Sequence, residues 1–93
     1  MSRFVVERTF PDGLTVPVTG EGVKVCQTVV DNNAEEQVTW LTSYVSLDHT
    51  KTYCLYDGPS EESIQRAATA NGLPVDSITQ VSVLDPYFYG GDS

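Results

Sequence analysis

The chain of 93 residues has few of the residues on which metal, redox and nucleic-acid proteins depend. It contains two cysteines, one histidine and five basic residues, without a CxxC pair, an HExxH motif or a glycine-rich phosphate loop. Two cysteines are too few for a disulfide framework, and one histidine is too few for a zinc cage. Thirteen acidic residues give a formal net charge of −8, which repels nucleic acid and anionic membrane surfaces. Composition therefore predicts no nucleic-acid partner and no membrane partner.

Long apolar stretches are also lacking. No run approaches the ~20 residues of a membrane-spanning helix. The first residues lead directly into a strand-like pattern, without the apolar segment of a signal peptide. We therefore expect a cytoplasmic location, where Cys26 and Cys54 stay reduced. The length, with 40% hydrophobic residues, predicts one ordered domain over residues 1–93 with an aromatic tail from about residue 85.

The pattern along the chain predicts six elements in the order strand, helix, strand, strand, helix, strand. β-Branched and aromatic residues bounded by turn signals predict strands at 3–10, 38–47, 50–57 and 78–84. Helices are expected at about 20–36, capped by Thr19, and at 60–71, capped by Ser60. This βαββαβ order predicts an α+β, ferredoxin-like sandwich, in which a four-stranded antiparallel sheet carries both helices on one face.

Side-chain alternation assigns strand residues to the two faces of the sheet. The set expected beneath the helices is apolar and comprises Phe4, Val6, Leu41, Val45, Leu47, Tyr53, Leu55, Val81 and Val83. The set expected on the other face is mixed and comprises Val5, Glu7, Thr9, Trp40, Thr42, Tyr44, Thr52, Cys54, Tyr56, Gln80, Ser82 and Leu84. This face is interpreted as a homodimer surface, as a ligand pocket with aromatic walls, or as a solvated sheet partly covered by the tail at residues 87–89.

Glu7 is the foremost candidate site residue. The first and third strands of a ferredoxin-like sheet are central neighbours, so Glu7 and Cys54 are expected side by side on the uncovered face. A carboxylate beside a thiolate can bind a soft or borderline metal, or act as base and nucleophile. The simpler interpretation is that Glu7 pairs with Arg8, or with Arg3 of a second copy, while Cys54 packs.

His49 completes the candidate metal ligands, Glu7, Cys54 and His49. It lies beside Asp48 in the expected hairpin, where the pair either holds a divalent metal loosely or forms a polar turn. Candidate ligand contacts are Glu7, Trp40, Tyr44, Tyr56 and Asn71. No set of nucleophile, base and orienting residue can be assembled, which favours a binding protein over an enzyme. The alternative is a small cofactor-free enzyme that uses Glu7 as a base in an aromatic pocket between subunits.

Three segments carry a resemblance to a known family: 4–8 (FVVER), 53–59 (YCLYDGP) and 71–74 (NGLP). They resemble a family of small bacterial ferredoxin-like domains, largely of unknown function, that includes a nickel-binding protein. The resemblance extends over residues 4–83. It implies a homodimer of ferredoxin-like sandwiches that binds nickel or another divalent metal.

The nickel-binding relatives have histidines at or beside the positions of Thr9, Ala67 and Asn71. This chain has no histidine at any of the three. Imidazole suits nickel better than an amide or a hydroxyl does, and the remaining donors, Glu7, Cys54 and Asn71, are a poorer set. The resemblance therefore implies nickel binding that is weaker than in those relatives.

Overall fold

The computed structural model describes residues 2–14, 20–84 and 86–87, with only the backbone of residues 20 and 21. Its elements are β1 (Ser2–Thr9), α1 (Gly20–Glu35), β2 (Thr39–Val45), β3 (Lys51–Gly58), α2 (Glu61–Ala70) and β4 (Ser77–Val81). The expected order of elements is confirmed. The expected helix cap Thr19 and the tail residues Phe88 and Tyr89 lie outside the described residues. In the part of the chain that is described, no helix is both long and apolar enough to cross a membrane.

The four strands form one antiparallel sheet in the order β2-β3-β1-β4. Both helices pack against the same face, because Ile64 of α2 and Cys26 of α1 both approach the side of the sheet on which Cys54 lies. This arrangement confirms the ferredoxin-like α+β fold.

Helix α2 begins where the sequence predicts. The Ser60 hydroxyl accepts a hydrogen bond from the backbone N–H of Ser63 at 3.2 Å, which satisfies a free donor of the first turn. Glu61 and Glu62 occupy the first turn, where the helix dipole favours negative charge. The helix ends at Asn71, and Gly72 follows at φ 67°, a left-handed conformation that glycine adopts without strain.

The core lies between α2 and the centre of the sheet. It consists of Phe4, Val6, Val38, Cys54, Tyr56, Ile64 and Ala67, with Trp40, Val75 and Ile78 packed against it. At Gly58 the strand β3 passes so close to α2 that an added Cβ would lie 3.0 Å from the Ile64 Cδ1 atom. The helix can approach this closely because the strand has no side chain at that position.

The face assignment is right for β1 and wrong for β3. Residues directly opposite each other in an antiparallel pair share a face, and Val6 lies opposite Cys54. Cys54 and Tyr56 therefore lie beneath the helices, whereas Tyr53 and Leu55 point to the other face. The two alternating sets of β3 are about equally apolar, so hydrophobicity alone does not fix which set is buried.

A β-bulge changes the faces of β2. The register with β3 shifts between Trp40 and Thr42, so that Trp40 lies opposite Tyr56 beneath the helices. Leu41, expected to be buried, has no partner in this register and is 40% exposed. Leu47, also expected to be buried, lies in the following turn and is fully exposed. The extra residue of a bulge breaks the simple alternation on which the expectation rested.

The faces of β4 are also reversed relative to the expectation. Ile78 lies opposite Val6 and Gln80 opposite Phe4, both beneath the helices. Val81 lies opposite Arg3 on the other face. We call the helix side of the sheet the covered face, and the side formed by Arg3, Val5, Glu7, Thr42, Tyr44, Lys51, Tyr53, Leu55, Asp57, Thr79 and Val81 the open face.

The side of helix α1 that faces the sheet is not the side that carries Val23 and Val30. Val23 and Val30 are 70% and 44% exposed. The inward side carries Cys26, Val29 and the fully buried Asn33. Cys26 and Val29 line a cavity between this helix and the sheet.

Candidate functional site

The structure separates the two residues of the expected open-face site. Glu7 lies opposite Tyr53 on the open face. Cys54 lies opposite Val6 on the covered face and is 7% exposed. The carboxylate and the thiol are therefore on opposite sides of the sheet, and the expectation that they lie side by side is wrong. The reason is the reversed alternation of β3.

Glu7 instead belongs to a network of charges on the open face. Its Oε2 atom accepts a hydrogen bond from the Lys51 Nζ atom at 3.2 Å, and the Asp76 carboxylate lies 3.4 Å from the same ammonium. The hydrogen bond with Glu7 is the main cause that raises the pKa of Lys51. A hydrogen bond from the Thr9 hydroxyl, more than Lys51, lowers the pKa of Asp76. Within the chain, the ion-pair partner of Glu7 is therefore Lys51 and not Arg8.

His49 lies in the turn between β2 and β3, at φ 63°. Its Nδ1 atom is 3.2 Å from the backbone oxygen of Leu14. The neighbouring Asp48 carboxylate accepts hydrogen bonds from Ser46 and Thr50, which lower its pKa to about 2. This carboxylate closes the turn, as the polar-turn interpretation of the pair expected.

Asn71 links the two helices. Its Nδ2 atom donates a hydrogen bond to Asn33 Oδ1 at 3.0 Å, and its Oδ1 atom accepts one from Asn32 Nδ2 at 2.8 Å. Tyr44 lies on the open face opposite Tyr53 and is 65% exposed. The expected ligand contacts are therefore divided among three places, and only Trp40 and Tyr56 remain close to each other.

Trp40 and Tyr56 line a cavity of about 190 Å³ between α1 and the covered face, which we call the α1 cavity. Its walls are mainly apolar, and both cysteines contribute to them. The described lining consists of Arg8, Phe10, Leu14, Val25, Cys26, Val29, Trp40, Ser43, Val45, Thr52, Cys54, Tyr56 and Leu73. Apolar walls with a few polar groups are typical of small-molecule sites.

Arg8 places a buried positive charge at this cavity. Its side chain is 2% exposed, and its Nη1 atom donates a hydrogen bond to the Tyr56 hydroxyl at 3.3 Å. Its guanidinium carbon lies 5.6 Å from the centre of the Tyr56 ring. Its Nε atom is buried and has no hydrogen-bond partner among the described residues. No described carboxylate forms an ion pair with Arg8, whereas Arg3 and Arg66 each pair with one carboxylate and Lys51 pairs with two.

Tyr56 does not neutralise this charge. Burial raises the pKa of Tyr56 to about 12, and the opposing effect of Arg8 is smaller. The phenol is therefore neutral at ordinary pH. The alternation of Phe4, Val6 and Arg8 along β1 places all three on the buried face, and this signal in the sequence identifies Arg8 as a buried charge and not only as a partner for Glu7.

Comparison with known proteins gives the family. Residues 4–81 match the family model described as nickel responsive protein SCO4226-like. The chain belongs to this family. The crystal structure of SCO4226 from Streptomyces coelicolor A3(2) is similar, with a TM-score of 0.69 and 22% sequence identity over 88% of this chain and 98% of that chain. At this identity the likeness to SCO4226 shows the fold alone. No curated protein is significantly similar.

The described residues of this SCO4226-like protein do not fit a nickel site within one chain. They include no group of three His, Cys, Asp or Glu side chains that could hold a metal ion. Glu7 is paired with Lys51, Cys54 is buried beneath the helices, and His49 lies in the turn between β2 and β3. The three candidate metal ligands are therefore not brought together.

Proposed function

We propose that this member of the SCO4226-like family is a small, non-catalytic binding protein, and that its ligand occupies the α1 cavity and not the open face. The observation that carries this proposal is the cavity itself, about 190 Å³ in volume with predominantly apolar walls. An apolar cavity of about 150 Å³ is large enough to take up benzene. A ligand of one ring with a small substituent therefore matches the available space.

The experiment is an NMR titration of ¹⁵N-labelled protein with two small aromatic probes, benzyl alcohol and benzoate. We expect shifts at the amides of α1 and β3 that line the cavity, and a loss of these shifts in Val29→Phe, which fills it. Val23→Phe is the matched control, because Val23 lies on the same helix and is 70% exposed. Absence of cavity shifts with both probes at millimolar concentration, or shifts that persist in Val29→Phe, would contradict the proposal.

The alternative of an enzyme with Glu7 as its base receives no support from these contacts. The Glu7 side chain is 35% exposed and is paired with Lys51. A general base at an aromatic pocket needs a desolvated, available carboxylate. The Glu7 carboxylate also lies on the face opposite the α1 cavity. Binding is the better description of what this geometry can do.

We also propose that two copies associate through their open faces. Tyr44 and Tyr53 lie opposite each other there and are 65% and 40% exposed, and exposed aromatic patches commonly mark contacts. The nearby charges are paired within the chain, with Arg3 Nε 2.9 Å from an Asp57 carboxylate oxygen. Sedimentation at micromolar concentration should show a dimer that Tyr44→Lys converts to monomer and Val23→Lys does not. A native monomer would refute the dimer.

The proposed setting is the cytoplasm. Cys26 and Cys54 are both free thiols although they line the same cavity. Reducing compartments preserve such thiols. Nickel or another divalent metal is proposed only as a weak ligand, because the candidate donors do not meet within one chain.

A further inference from the structure

We propose that the ligand of the α1 cavity is an anion, a monocarboxylate with an apolar body of about one aromatic ring, and that Arg8 is its counter-charge. This inference rests on the proposed function, since it names the chemical class of the ligand of that same cavity. It adds a specific residue and a specific charge to a site that is otherwise defined by its volume and its apolar walls.

The first support is the unbalanced charge of Arg8. An arginine is always protonated at ordinary pH, so the buried side chain carries a full positive charge. Buried charges in proteins are normally paired, because leaving water without a partner is costly. The charged group of Arg8 interacts, in the described part of the chain, with the hydroxyl and the ring of Tyr56, which is neutral. Thirteen acidic residues are available in this chain, and none of those described pairs with Arg8.

The second support is the position of further polar groups at the same cavity. Thr52 and Ser43, from β3 and β2, line it together with Arg8. The Ser43 hydroxyl accepts a hydrogen bond from the Trp40 indole N–H at 2.8 Å, and this bond does not use the hydroxyl proton. The Thr52 hydroxyl accepts from the Cys54 thiol at 3.7 Å and likewise retains its proton. Hydroxyl groups that line the same cavity as an arginine suit a carboxylate, which only accepts hydrogen bonds.

The third support is that the lining other than Arg8, Ser43 and Thr52 is mainly apolar. Phe10, Leu14, Val25, Val29 and Leu73 present apolar surface. A bare inorganic anion would leave these walls without contact, and a metal cation would be repelled by Arg8. A small organic acid satisfies both parts of the cavity, with its carboxylate at Arg8 and its ring against the apolar walls.

The test is calorimetric titration with benzoate and benzyl alcohol, which share the ring and differ in charge. We expect benzoate to bind the native protein at least ten times more tightly, and Arg8→Met to remove this preference. Arg8→Lys should retain part of the preference, since it keeps the charge. Arg3→Met is the matched control, because it removes an arginine that is paired on the open face, and the preference should persist there.

A second measurement needs no variant. In the native protein the Arg8 Nε–H resonance should shift on addition of benzoate and not on addition of benzyl alcohol. Thermal denaturation establishes that Arg8→Met is folded before it is titrated; if it is not, this resonance alone decides the result.

Each of the other outcomes contradicts either the anion inference, the proposed function or the role of Arg8. Equal binding of both probes in the α1 cavity overturns the anion inference and leaves the proposed function standing. Binding of neither probe overturns both. A preference for benzoate that survives in folded Arg8→Met, or an Arg8 resonance unmoved by bound benzoate, overturns the role of Arg8.

Discussion

At the residue scale, the most unusual side chain is that of Arg8, a buried arginine without a described carboxylate partner. Arg8 continues the alternation of Phe4 and Val6 and therefore enters the covered face, where only 2% of it is exposed. A lysine or arginine at such a position is usually paired. Arg8 is held by Tyr56 instead, through a hydrogen bond and the ring face. The protein without ligand therefore keeps a charge whose burial opposes folding.

Removal of this buried charge predicts that the variant Arg8→Met is more stable than the native protein. In the absence of ligand we expect the substitution to raise the free energy of unfolding by about 1–3 kcal/mol, because methionine fills similar space without a buried charge. Urea denaturation of both proteins measures the difference. Arg3→Met should change the stability much less, since exposed ion pairs contribute little. Destabilisation by Arg8→Met would mean that the charge is compensated in the free protein.

The lowered pKa of Asp48 predicts that the stability contributed by the turn between β2 and β3 depends on pH. Hydrogen bonds, first from Ser46 and then from Thr50, lower its pKa from the ordinary 3.8 to about 2. A lowered pKa in the folded state stabilises the fold above the unfolded pKa, and this contribution is lost as the pH falls through the folded value.

We therefore expect Asp48→Ala to have a lower melting temperature than the native protein above about pH 4. The deficit due to the charge should shrink between pH 4 and 2 and be absent below. Asp48→Asn keeps an acceptor oxygen but does not titrate, and serves as the control. A native-minus-Ala difference that grows with acidification would contradict the assignment.

At the element scale, the approach of α2 to β3 depends on Gly58. An added Cβ would lie 3.0 Å from Ile64 Cδ1 and 3.3 Å from Val38 Cγ2. Both neighbours are buried, with little room to move. Gly58→Ala should therefore lower the free energy of unfolding by about 1–3 kcal/mol through overpacking.

A double-mutant cycle tests the stated contact. Ile64→Val removes the Cδ1 atom, at an expected cost of about 0.5–1.5 kcal/mol by itself. In that background Gly58→Ala should cost less than it does in the native chain. Equal costs in both backgrounds would show that the close contact with Ile64 is not the cause.

The order and ends of the elements could be predicted from the sequence, but the faces of the strands could not. The cap at Ser60, the stop at Gly72 and the order of strands and helices follow from local residue chemistry, and all of them could be predicted. The faces could not, because the two alternating sets of β3 are similarly apolar and only pairing with β1 decides between them. The bulge after Trp40 could not be predicted either, because counting alternate residues along a strand assumes a regular register. The α1 cavity escaped prediction for the same reason, since it depends on which face Tyr56 and Cys54 occupy.

At the scale of the whole molecule, membership of the SCO4226-like family and the arrangement of donors point in different directions for nickel. The family model is described as nickel responsive. Within the described ranges, Glu7, Cys54 and His49 lie on the open face, on the covered face and in a turn. Shared fold does not carry a metal site when the ligands differ.

Calorimetric titration of untagged protein with nickel should therefore show no submicromolar site. Any weak binding through Cys54 should weaken further at low pH, because the metal must displace the thiol proton. Submicromolar affinity that survives Cys54→Ser combined with His49→Ala would place nickel elsewhere in the chain.

The most direct measurement locates a bound ring on one side of the sheet or the other. Intermolecular NOEs from the ring protons of benzoate to valine and leucine methyl groups do this in solution. Ligand in the α1 cavity predicts contacts to Val29 and Val45, which line it, and none to Val5 or Leu55 on the open face. NOEs to Val5 and Leu55 without any to Val29 and Val45 would contradict the placement of the site beneath α1.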